Sequence, residues 1–194
     1  MTQPDPVSVA DPEDTLSGRF VAVVLVLGVI ITVLLCFALP AVAGQVSEVT
    51  TPSGAITDGR VSLQPQPGWE VLANTDPDQP TEQLLAKEGV VLALVTVPAD
   101  LGTDPQAYLD AMLEQFDGSL VPDYEPVAFE TPTGDQGVAV MVTGTSQAGM
   151  LAAIVSRDSS VAALVPVIGD PVASSALLSE ISEMVTSVRI KRAS

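Results

Sequence analysis

Hydrophobic and polar positions divide the chain into four stretches. The first eighteen residues hold three prolines, four acids and almost no large apolar side chain, so they bury too little surface to offset the entropy of ordering. A short disordered tail, 1-18, is the expectation. Phe20 to Leu39, FVAVVLVLGVIITVLLCFAL, then runs for 20 residues without a charge. A helix rising about 1.5 Å per residue crosses a hydrocarbon core of about 30 Å in about 20 residues, and in lipid an isolated span must satisfy its own backbone. The pattern predicts a transmembrane anchor over 19-43.

The alternative is a cleaved signal peptide, because Ala41-Val42-Ala43 forms an A-x-A pattern before Gly44. Against it stand the length of the apolar run and a leading segment with Asp5, Asp11, Glu13 and Asp14 but only Arg19 as a base. Arg19 abuts the span and no further Lys or Arg follows until Arg60, which orients the tail toward the cytoplasm and exports the rest. Cys36 lies between Leu35 and Phe37 and lacks the small preceding residues of a lipidation site.

From 44 to 59, Gly, Ser, Thr and Pro crowd together and no period persists, which reads as a flexible linker with an end-to-end distance of about 20 to 25 Å. Residues 60-190 then have the length of one domain, with 191-194 as a tail. Val61 and Leu63 alternate with polar neighbours, and Pro65, Pro67 and Gly68 turn the chain into Trp69, Val71 and Leu72: two short strands around a turn. Trp69 is the only tryptophan and is expected to be buried under a helix. Glu88-Gly89 predicts a hairpin into Val90 to Val97, apolar on both faces and hence a central strand.

Asp104-Pro105 places a capping side chain beside the helical position that favours proline. Tyr108, Leu109, Met112, Leu113 and Phe116 follow at helical spacing, and Gly118 ends the helix. Val127 to Glu130, Gly137 to Gly144, Ala148 to Ser156 and Val161 to Ile168 read as strands, the last three joined by turns too short for a crossover, hence an antiparallel meander. Pro166 predicts an edge position or a bulge for the last strand. Asp170-Pro171 repeats the cap, and Leu177, Leu178, Ile181, Met184, Val185 and Val188 line one face of a closing helix. The expected fold class is α/β of the α+β type, with an antiparallel sheet packed between amphipathic helices.

In its order of pieces the chain resembles the PsbP-like α/β fold family, in particular the cell-envelope proteins and lipoproteins of actinobacteria, as a membrane-anchored member. The resemblance rests on VSLQPQPGWEVL, the mid-chain helix YLDAMLEQF, the three-strand meander and a last helix running into TSVRI. It implies an antiparallel sheet between helices and a mostly non-enzymatic accessory or binding role. It supplies no catalytic residues.

Composition narrows the chemistry. There is no histidine, and the only cysteine lies in the apolar run, which excludes Ser-His and Cys-His nucleophile pairs and Cys- or His-built zinc sites within one chain. A Ser-Lys pair would need Lys87, beside a hairpin turn, or Lys191, near the end of the chain. Phosphate-cradling glycine motifs do not occur. The tail takes four of the 24 acids and Arg19 is one of seven bases, so 20 acidic residues face 6 basic ones after the span, a balance of −14. That argues against nucleic acid and anionic lipid and for a partner with a neutral or basic surface. The densest acidic run, Asp100, Asp104, Asp110, Glu114, Asp117, Asp123 and Glu125, lacks EF-hand spacing and reads as a solvated face. No cofactor or metal ligand is assigned.

The expected function is a single-pass membrane protein presenting a non-enzymatic interaction domain in the cell envelope. A small-ligand carrier is the alternative, and a carboxylate hydrolase, with Trp69, Tyr108 and Tyr124 as sugar platforms, is a further one.

Overall fold

The computed structural model describes residues 49–52, 54–72 and 83–192. The predicted tail 1-18 and anchor 19-43 lie outside these residues. No helix among the described residues is long and apolar enough to cross a membrane.

The elements in chain order are β1 (Val49–Thr50), β2 (Ile56–Asp58), β3 (Val61–Leu63), β4 (Glu70–Leu72), β5 (Gln83–Lys87), β6 (Val90–Pro98), α1 (Pro105–Gln115), β7 (Val121–Pro122) and β8 (Val127–Glu130). They continue with β9 (Gln136–Thr143), β10 (Ala148–Val155), β11 (Val161–Gly169), α2 (Pro171–Ala176), α3 (Leu178–Thr186) and β12 (Arg189–Ile190). A nine-stranded antiparallel sheet runs β1-β4-β5-β6-β11-β10-β9-β7, with β8 also on β9. A second sheet, β12-β3-β2, has three strands.

The β5–β6 hairpin turns at Glu88 and Gly89, both with positive φ, 50° and 82°, the geometry that matches the twist of flanking strands. The three central strands β6, β11 and β10 are buried along almost their whole length because both sheet faces are covered. On one face α1 lays Tyr108, Leu109, Met112 and Phe116 over Val138, Val140, Leu151 and Leu164. On the other, α3 sets Ile181, Met184 and Val185 with the small sheet's Val61 and Leu63 against Leu92, Ile154 and Val165. The sheet between helices and the meander are thus as the apolar pattern predicts.

Four expectations are corrected. The linker 44–59 supplies two strands: β1 pairs with β4, and β2 pairs with β3 with Ile56 buried. Segments of two or three residues carry no detectable period, so composition alone reads them as loop. The strands around Pro65–Gly68 are not partners, since β3 joins the small sheet and β4 the large one. Pro166 lies in neither an edge strand nor a bulge. β11 sits between β6 and β10, and its pairing with β6 lapses at Val165 and Pro166, then resumes in the same register, Leu164 with Val95 and Val167 with Leu92. One missing N–H interrupts the ladder without shifting it. Finally, the closing helix breaks at Leu177 into α2 and α3, whereas α1 is closed as expected by the left-handed Gly118 (φ 74°), here together with Asp117 (φ 45°).

Candidate functional site

The outer end of the large sheet is built in two pieces. β7 meets β9 at Val121 with Thr143 and Pro122 with Val142, and β8 meets it at Val127 with Ala139 through Glu130 with Gln136. The chain between them, Asp123 to Pro126, is exposed throughout, although the Asp123 N–H still donates to the Met141 carbonyl of β9 at 2.9 Å. Val121, Tyr124 and Val127 are 55, 75 and 67 % exposed, three of the four large exposed hydrophobics among the described residues; Val172 is the other.

Beside β8, on the face that carries α1, lies a cleft of about 510 Å³. Its floor is Ala128 and Val138, and its walls are the start of α1, Asp104 to Gln106, and the polar end of the β8–β9 hairpin, Glu130 and Gln136. The α1 wall is fixed from both sides. The Asp104 carboxylate accepts from the Gln106 N–H at 2.9 Å, with Pro105 at the first helical position. The buried Tyr108 hydroxyl accepts from the Leu101 N–H at 2.9 Å and donates to the Gly102 carbonyl at 3.3 Å. Burial pushes that hydroxyl above the ordinary tyrosine range, against the lowering effect of the Leu101 N–H.

The hairpin wall is equally constrained. Asp135 is only 3 % exposed. Its carboxylate accepts from the Thr133 hydroxyl and, at 3.1 Å, from the Arg157 N–H, while its own N–H donates to the Thr131 hydroxyl at 3.1 Å. The Arg157 guanidinium folds over Gly134 and pairs with Glu130 at 3.6 Å, both side chains more than half exposed. The Phe129 ring covers Gly137 so closely that an added Cβ would lie 2.4 Å from it. A bare glycine under an aromatic ring pins β8 to β9 at that point.

The predicted acidic run does not converge. Asp104 reaches the cleft; Asp110 accepts from the Gln106 side chain at 2.7 Å; Asp123 accepts from the Thr143 hydroxyl; Asp100, Glu114, Asp117 and Glu125 are exposed. Among the described residues no group of three acids gathers as a cation would require. Of the three aromatic platforms, Trp69 and Tyr108 are core residues and only Tyr124 faces water.

Trp69 is fully buried beneath α3, and its indole N–H donates to Glu180 at 3.0 Å. Lys87, which the sequence offers as a nucleophile's partner, donates to the same carboxylate at 2.7 Å and to the Pro67 carbonyl at 3.1 Å. The Lys87 ammonium first, then the indole, hold Glu180 below the usual carboxylate range. This cluster ties the segment before β4 to β5 and α3 and leaves the Lys87 amine fully engaged.

Sequence reasoning passes over Glu130, Phe129 and Asp135. The turn TPTGD between Glu130 and Gln136 was the available signal, a threonine and proline pair ahead of glycine and an acid.

No sequence family matches the chain, and no curated protein is significantly similar to it. A solved structure does share its fold. The solution structure of cyanobacterial PsbP (CyanoP) from Synechocystis sp. PCC 6803 aligns with 73 % of this chain and 95 % of its own, at 8 % identity and a TM-score of 0.50. The protein Mog1, solved as a point mutant, aligns with 72 % of this chain and 96 % of its own, at 11 % identity and a TM-score of 0.49. The domain has a PsbP-like fold, and the likeness reaches no further than fold.

Proposed function

We propose that the chain is a single-pass membrane protein of the actinobacterial cell-envelope kind, presenting a PsbP-like domain outside the cytoplasm as a non-enzymatic interaction or accessory module. The observation that carries the interaction reading is the concentration of exposed Val121, Tyr124 and Val127 at one sheet end of a domain whose two cores are otherwise closed. Exposed apolar clusters rimmed by polar residues mark protein contact sites. The acidic balance favours a partner with a neutral or basic surface and disfavours nucleic acid. Support for the anchor comes from the 20-residue uncharged stretch Phe20 to Leu39 and for its orientation from Arg19.

A reporter fused after Ser194 is expected to be active only outside the cytoplasm, and the mature protein to retain residues before Gly44. Activity of the reporter in the cytoplasm would reverse the orientation, and a mature N-terminus at Gly44 would replace the anchored protein by a secreted one. A photo-reactive residue at Tyr124 in the full chain tests the interaction role. It is expected to yield one discrete protein adduct in cells, and recovery of lipid or of no adduct would end this reading.

A further inference from the structure

Within the β8–β9 hairpin, the Thr131 N–H donates to the Asp135 carbonyl at 3.0 Å. Counting back by twos, Phe129 and Val127 direct their backbone groups at β9, whereas Ala128 and Glu130 direct N–H and C=O away from it. Both outward residues are exposed, and among the described residues no strand pairs with that edge. Natural edges are blunted by proline, lysine or a bulge. Here Pro126 and Pro132 block the two ends, but Val-Ala-Phe-Glu between them offers an open frame of four backbone groups. The cleft runs along the same frame, and its acids are Glu130 and Asp104 with Asp110 behind. The one cation on this rim, Arg157, meets Glu130 only at 3.6 Å and in solvent.

We infer that the outer edge of β8 and the cleft beside it form a strand-addition site for an extended segment of a partner protein that carries a lysine or arginine. Main-chain bonds to Ala128 and Glu130 hold the segment, and a basic side chain on the α1 face lays its stem over Ala128 and Val138 with its charge beside Glu130. A second copy of this chain fits poorly, because its own β8, Val-Ala-Phe-Glu, brings no basic side chain to the cleft and pairing would join two bodies of like charge. An anionic lipid surface fits worse for the same reason. The inference rests on the interaction reading above.

The test uses the full chain in detergent and two labelled peptides, Thr-Val-Lys-Val-Lys-Val-Thr and its twin with Glu for Lys. The lysine peptide is expected to bind, more weakly as salt rises, and to slow hydrogen exchange at Ala128 and Glu130. Ala128→Pro, which removes an outward N–H and leaves the β9 ladder alone, is expected to weaken binding about tenfold. Glu130→Lys is expected to invert the preference between the twins, and decides the matter alone if the proline variant does not fold. Equal binding of the twins, no binding of the lysine peptide, protection elsewhere, or a folded Ala128→Pro protein with unchanged affinity would each overturn the site. Cell adducts from Tyr124 together with such a failure would leave the interaction reading standing. Peptide binding at β8 without cell adducts would do the opposite.

Discussion

Trp69 anchors the core on the α3 side of the large sheet. Its ring fills the space between β5 and α3, and its one polar atom is satisfied by Glu180. Trp69→Ala is expected to cost about 3 to 5 kcal/mol in denaturant unfolding, whereas Trp69→Phe, which keeps most of the volume, should cost far less. Glu180 adds a pH signature. Its folded pKa is depressed, so its contribution is complete above the unfolded value and is lost as pH falls through the folded one. Melting temperature is therefore expected to drop below about pH 4, less steeply in Glu180→Gln, as thermal scans across that range would show. Asp158 behaves alike: the Ser160 hydroxyl first, then Ser156, hold its carboxyl well below the usual range at the β10–β11 turn. That carboxylate is exposed, and its effect is correspondingly local.

Among the elements, β10 and β11 leave the least room. A Cβ on Gly149 would fall 1.8 Å from the Val167 carbonyl oxygen, a backbone atom that cannot step aside without breaking its own ladder. Gly149→Ala is expected to destabilise by about 3 kcal/mol or more, the range of overpacking against an unyielding wall, and equilibrium unfolding would measure it. The same strand pair shows what could be read beforehand. The Asp-Pro caps, the Glu-Gly hairpin and the apolar runs carry enough residues for a period to emerge, and each of these elements falls where its pattern puts it. Pro166 misleads because its rule concerns one hydrogen bond, and a sheet with nine strands absorbs that loss. β2 and β12, with three and two residues, leave no pattern to read.

At the scale of the whole molecule, legibility falls further. The division of β3 and β4 between two sheets depends on where α3 returns, more than a hundred residues later, and no local window holds that information. The cleft likewise pairs 104–106 with 126–138, an adjacency made by α1 crossing the sheet. Acidic character was plain from composition, but which carboxylates share a wall was not.

The return of α3 also governs when the domain becomes whole. Val61 and Ser62 wait for Ile190 and Arg189, the Arg60 carbonyl for the Lys191 N–H, and Trp69 for Glu180. During synthesis, the first third of the domain has no finished core until the last dozen residues have left the ribosome. The core beneath α3 is thus completed by the end of the chain, whereas the core beneath α1 draws on no residue after Ile168. Stopping the chain after Ser187 is expected to abolish cooperative unfolding rather than trim it, and a stop after Arg192 to leave it intact, with calorimetric transitions as the measure.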